Sequence, residues 1–226
     1  MVSYGLSTGV KSIDEGYKHY SLSGRIKVEC RTRFHQAFTG TFNLDNSNDL
    51  FFIVSGEPWG VIYRKGNTVT IITKYEASID VYIFSTSGER GVAGNYGVVV
   101  SNSHGETVFD SRRRYLRIIK VLSSKDGDRM SFGERLIGLM PIGQIKMTNE
   151  FIAQPWDDGY ANFRTIWEAD FVRTLSGNVE INKYKIYSDS SIAPDDIYTI
   201  DKSNIYMESE DSGVGAYLVA DLTNMT

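Results

Sequence analysis

Apolar and polar positions along this chain change over in short runs, and runs with a two-residue period predict β-strands. Gly24 to Phe42 gives two of them, RIKVEC and QAFTGTF, around a polar link. Leu50-Phe51-Phe52-Ile53-Val54 is continuously apolar, the pattern of a strand at the centre of a sheet or buried on both faces. Gly60 to Arg64 and Thr68 to Thr73 predict a hairpin across Lys65-Gly66-Asn67, and Ser78 to Phe84 alternates cleanly. Asn43 to Asp49 and Ser55 to Pro58 carry turn residues. About seven strand candidates with turn signals every ~8–12 residues predict a sandwich or barrel.

The densest signal lies between Tyr96 and Val121, YGVVVSNSHGETVFDSRRRYLRIIKV. It predicts strand, tight turn, strand, polar break, strand. Gly105 stands where a turn needs positive φ, and Val98 to Val100 and Thr107 to Phe109 flank it. A paler version, YGLSTGVKSIDEGYKHYSL, opens the chain from Tyr4 to Leu22. Both begin Tyr-Gly-apolar, turn around glycine, reach an apolar-Asp pair (Ile13-Asp14, Phe109-Asp110) and run on to Tyr20 or Tyr115. The Tyr-to-Asp distances differ by an even number, which keeps each side chain on its own face of a strand.

The expected fold is therefore all-β, with two or more β-sandwich or barrel-like units and a duplicated hairpin motif. The expected domains are residues 1–95 and 96–226, the second beginning with the hairpin repeat, with a further break near 123–130. Farther on, Ser131 to Ile145 reads as short strands or a packed loop, since Gly138 and Pro141 oppose a helix. Phe151 to Pro155, Asn162 to Val172, Asn178 to Tyr187 and Ala216 to Leu222 are the remaining strand candidates. No long amphipathic helix is predicted. The acidic, turn-rich stretch from Ser188 to Asp211 is expected to order only within an assembly.

The chain has 226 residues, a hydrophobic fraction of 41%, and 14 Tyr and 11 Phe against 4 Pro, a composition suited to sheets. Its net charge of −4 offers no basic field for nucleic acid; Arg112-Arg113-Arg114 is the one short basic run. The single cysteine, Cys30, sits in an alternating segment and reads as a half-buried free thiol, consistent with folding in a reducing cytoplasm. Neither a signal peptide nor a membrane-spanning run is expected, so work outside the cell would require release by lysis.

Candidate chemistry is sparse. His19, His35 and His104 have no Cys or carboxylate at metal-ligand spacing, and no nucleophile elbow or phosphate loop appears. The expectation is no catalytic residue, no cofactor and no metal. Asp45 to Asp49 mimics part of a calcium loop but lacks its glycine and terminal glutamate. Aromatic residues lead instead. Trp59 follows Pro58, and Trp156 follows Pro155 and precedes Asp157-Asp158-Gly159-Tyr160. Such rings stack on sugars or anchor a protein partner; the alternative is that both tryptophans cap the edges of β cores. Strand alternation would put Arg112 and Arg114 on one face, with Arg113 and Tyr115 on the other, as a charged sheet edge or a salt-bridging surface. Candidate interface or ligand contacts are thus Trp59, Trp156, Tyr160, Arg112, Arg113, Arg114 and Tyr115.

The stretch carrying Tyr96, Gly97, Val98, Val99, Asn102, Gly105, Phe109, Asp110, Ser111, Arg112 and Tyr115 resembles a segment of the structural tail-tip and tail-fibre-associated proteins of long-tailed bacteriophages. The N-terminal copy matches at Tyr4, Gly5, Leu6, Gly9, Ile13, Asp14 and Tyr20, and lacks the Asn before its glycine. The resemblance covers about 26 residues closely and the first ~120 loosely. It implies a virion component made in the host cytoplasm, without an active site. It also implies a homo-oligomer (a trimer or ring) that pairs sheets with itself and with other phage tail proteins. The runner-up is a β-sandwich carbohydrate- or receptor-binding module that meets host surface polysaccharide. A polysaccharide-cleaving enzyme using Asp157 or Asp158 comes third.

Overall fold

The computed structural model describes residues 19–86, 96–123, 129–142, 147–157, 160–194 and 216–225, with only the backbone at 63, 123, 147–157, 160–167, 169, 187 and 189–194. The N-terminal hairpin copy, Tyr4 to Lys18, lies outside the described residues. Those described form antiparallel strands and turns, with no helix among them.

Two sheets carry the fold. The first runs in the order β1 (Ser21–Cys30), β7 (Ala77–Ser85), β4 (Leu50–Val54), β12 (Ile137–Ile142), β16 (Ala216–Asp221), β10 (Ile118–Ser123). The second runs β11 (Arg129–Ser131), β15 (Asn178–Pro194), β14 (Tyr160–Leu175), β5 (Trp59–Lys65), β6 (Thr68–Thr73), β3 (Ala37–Asn43), β2 (Thr32–Phe34), with β13 (Met147–Asp157) also paired to β14. A separate two-stranded sheet holds β8 (Val99–Ser101) and β9 (Thr107–Asp110).

Strand alternation assigns the faces. Phe51 and Ile53 of β4, with Ile79, Val81 and Ile83 of β7, join Trp59, Val61, Val69, Ile71 and Val172 in one buried cluster between the sheets. The intervening residues Phe52, Tyr82 and Phe84 pack on the opposite face with Ala220 and Leu222. The middle of the first sheet is thus buried on both sides, which is why β4 has no polar residue. Each such fully buried side chain contributes about 1.5–3 kcal/mol relative to exposure. A smaller cluster of Ala37, Ile72, Phe171 and Ile186 covers the outer face of the second sheet.

The boundary expected between residues 95 and 96 does not separate two cores. Leu139 of β12 pairs with Ile53 of β4, and Val172 of β14 pairs with Trp59 of β5. The inter-sheet cluster draws on Val28 and Val219 alike. Strands from the later half are inserted into sheets begun by the earlier half, because β4 and β5 each need a second neighbour. Cys30, expected half-buried, is fully buried. Burial pushes its thiol up to about 11.

Three strands outrun their predicted lengths. β13, β14 and β15 form an antiparallel ribbon in which residues 160–169 of β14 have β13 on one side and β15 on the other. The start of the acidic stretch, Ser188 to Pro194, belongs to β15, where it pairs with residues 160–166. Residues 195–215 lie outside the described residues.

Because more than a third of the buried residues of the shared core lie beyond residue 95, the fragment 1–95 made alone is expected to show no cooperative thermal or urea transition. A sharp transition for that fragment, followed by circular dichroism, would restore the two-domain division.

Candidate functional site

The β8–β9 hairpin is built from local chemistry. Asn102 organises its turn. The Asn102 Oδ1 accepts the N–H of His104 at 3.0 Å and that of Glu106 at 2.9 Å, and its N–H donates to the Glu106 carbonyl at 2.9 Å. Gly105 takes φ 81°, a conformation that residues with a Cβ resist. The hairpin expected from sequence is present, with Val99 opposite Asp110 and Val100 opposite Phe109.

Asp110 is the centre of the next turn. Its carboxylate accepts the Arg112 backbone N–H at 3.1 Å, Arg112 Nε at 2.8 Å and Arg112 Nη2 at 2.7 Å, with Arg113 Nε 3.9 Å away. The Arg113 N–H donates to the Asp110 carbonyl at 2.9 Å, closing a β-turn. The hydrogen bond from Arg112, with its charge and that of Arg113, holds the Asp110 carboxyl down to about 2 against the opposing effect of desolvation. The stem of Arg112 lies over Gly97, where any Cβ would collide with it.

This corrects the alternating-strand reading of the arginine run. Asp110 captures the main-chain N–H two residues on, and that local bond competes with strand extension. Arg112 and Arg113 therefore fold back on one carboxylate, whereas Arg114 is exposed.

Tyr115 locks the hairpin to the body. Its ring stacks on Phe109, with centroids 5.2 Å apart and planes at 15°. The His19 ring meets Tyr115 edge-on at 5.2 Å. The Tyr115 hydroxyl accepts the Asp110 backbone N–H at 2.6 Å. Around it, the Leu22 N–H donates to the Arg114 carbonyl and the Leu116 N–H to the Tyr20 carbonyl, each at 2.9 Å. The exit of the hairpin thus pairs with the start of β1. Beyond it, Arg117 and Arg135 both stand 3.7 Å from Asp221 of β16.

The β8 side of the hairpin presents apolar side chains outward. Tyr96 is 95% exposed, Val98 64% and Val99 47%. Ile118 and Val121 of β10, an edge strand, are also exposed. Adjacent exposed apolar residues such as Tyr96, Val98 and Val99 mark interaction surfaces more often than single exposed residues do.

Of the other candidates, Trp59 is corrected. It is completely buried, as the first residue of β5, and its ring meets Tyr217 edge-on at 6.4 Å. The turn ends at Pro58, and the pleat aims the next side chain between the sheets, out of reach of a ligand. Trp156 lies at the bulge near the tip of the β13–β14 hairpin, and Tyr160 pairs with Asp157 across that tip. The two are neighbours in the backbone; their side chains lie outside the described residues. Sequence reasoning missed His19 and Asp110. The signal for Asp110 was its place two residues before a backbone N–H at the end of a strand, the position of an Asx turn.

Asp110 titrates low, so its hold on the turn is complete above about pH 4 and is lost as the pH falls through about 2. Hydrogen exchange over residues 98–116 should accelerate across that window. Asp110→Asn should abolish the step and, at neutral pH, make native-state trypsin cleavage after Arg112 and Arg113 several-fold faster. Unchanged cleavage would remove Asp110 from this role. Searches against family models, curated proteins and solved structures find no match to the chain, so the residues themselves carry the functional reading.

Proposed function

We propose that this chain is a structural component of a bacteriophage tail, at the tail tip or associated with a fibre, which assembles through its β-sheets with itself and with other tail proteins. The observation that carries the reading is the braced hairpin. Its turn, its Asp110 hub and its stacked Phe109–Tyr115 pair occupy the residues on which the resemblance to phage tail proteins rests. The same hairpin stands apart from both main sheets and turns Tyr96 and Val98 to solvent. A rigid projection with an apolar outer surface suits a subunit whose contacts are completed by another chain.

The test is the particle. Phage particles purified from a lysate that produces this chain should contain it in fixed stoichiometry, and a specific antibody should label the tail in electron micrographs. Deleting the gene should leave particles with incomplete tails. Recovery of the chain only from the cytosolic fraction, with particles intact without it, would overturn the proposal.

A second reading, a carbohydrate- or receptor-binding module at the phage–host contact, is favoured by one feature. The tip of the long β13–β14 hairpin brings Trp156, Asp157 and Tyr160 together in the backbone. Purified protein would then bind bacterial surface polysaccharide, and Trp156→Ala would weaken binding at least about tenfold, the equivalent of one stacked ring. A connector without this role would show no binding in the same assay.

A further inference from the structure

The hairpin has one closed edge and one open edge. The Ser111 N–H donates to the Val98 carbonyl at 2.9 Å, and Val100 stands opposite Phe109. Between them, alternation turns the N–H and C=O of Val99 away from β9. Asp110, opposite Val99, obeys the same rule: its outward N–H is taken by the Tyr115 hydroxyl. The outer side of β9 is therefore capped at that point, whereas among the described residues the outer side of β8 has no strand partner.

Exposed edges are usually guarded by a lysine, a proline or a bulge. This one carries Tyr96-Gly97-Val98-Val99-Val100-Ser101-Asn102-Ser103, without charge or proline, and the hairpin's register shift places its extra residue, Val108, on β9. Val98, Val99 and Val100 are all exposed.

We propose that β8 pairs antiparallel with β8 of a second copy of this chain about a two-fold axis at Val99, giving a closed four-stranded sheet in the order β9, β8, β8, β9. The inference rests on the assembly reading above and names its partner. Val99 exchanges both backbone hydrogen bonds with Val99 of the second copy. Val98 stands opposite Val100, so the valines pair on both faces of the new sheet: Val99 against Val99 on one, Val98 against Val100 on the other.

Charge sets the direction. At the Gly97 end, two guanidinium groups, those of Arg112 and Arg113, share the single carboxylate of Asp110, leaving that cluster basic. At the turn end stands Glu106, held by Asn102 Nδ2 at 2.8 Å. Antiparallel pairing brings each basic end toward the partner's acidic end, and parallel pairing would set like against like. The opposed groups would stand between two and three strand spacings apart, roughly 10–14 Å, beyond the Debye length of about 8 Å in physiological salt. Their attraction is weak but opposite in sign for the two directions. The arrangement also closes on itself. Each copy uses its open edge once, and the outer edges carry the Tyr115 cap at Asp110 and the β9 bulge, which oppose further strand addition.

The experiment is the native mass of the full chain by light scattering, alone and with Val99→Lys, Val99→Glu and an equimolar mixture of the two. Val99 is half exposed in the single chain, so both variants should keep the wild-type circular dichroism and melting temperature. The wild type is expected to be a dimer, or a multiple of one. Each variant should have half the wild-type mass, because a charge then faces its own copy across the axis. The mixture should recover the wild-type mass, since Lys then faces Glu. A monomeric wild type, an oligomer indifferent to Val99→Lys, or loss without recovery in the mixture would each overturn the pairing. None of these results touches the tail assignment, which fails separately if the chain is missing from purified particles.

Discussion

The structure depends on the burial of both faces of β4 and β7. Five consecutive apolar residues, Leu50 to Val54, cannot satisfy a sheet with one wet face. They require a second sheet on one side and a cover on the other. Trp59, Val69 and Ile71 provide the first, and Leu222, Met225 and the partly buried Tyr20, Leu116 and Leu136, all outside the strands, provide the second. The need for a neighbour on the open side of β4 draws in β12 and β16 from the far end of the sequence. One constraint thus accounts for the shared core, the interleaved strand order and the docking of the hairpin exit against the start of β1.

The hairpin is held by different physics. It buries little apolar area and relies on directional bonds within a few residues: the Asn102 turn, the Asp110 carboxylate and the Tyr115 hydroxyl. Such local networks can fix a conformation without a core beneath it. That explains how a two-stranded sheet, marginal by itself, projects as a defined shape. It also explains the division of labour between the ends of the hairpin, with polar bonds used up on the β9 side and apolar side chains left on the β8 side.

Much of the local structure was legible in the residues. The limits read for Leu50–Val54 and Thr68–Thr73 coincide with β4 and β6, and the hairpin around Gly105 stands where glycine and asparagine place it. β14 and β15 were read short because their ends carry polar residues and pair with each other instead of with the core. The arginine run was misread because alternation was applied to residues whose conformation is decided by the aspartate before them. For Trp59 the structure selects the β-core alternative over the contact reading, because the direction of the pleat decides which way a strand's first side chain points.

By itself the sequence determined the all-β class, most strand positions and the form of the central hairpin, since these follow from side-chain period and turn chemistry over a few residues. Only the tertiary structure decided which strands share a sheet, that residues on both sides of 95 form one core, and which edge of the hairpin stays open. The physical reason is that a hydrophobic pattern specifies that a face must be covered but not what covers it. Partners more than a hundred residues away, such as Trp59 and Val172, are chosen by the competition of all such faces for one another.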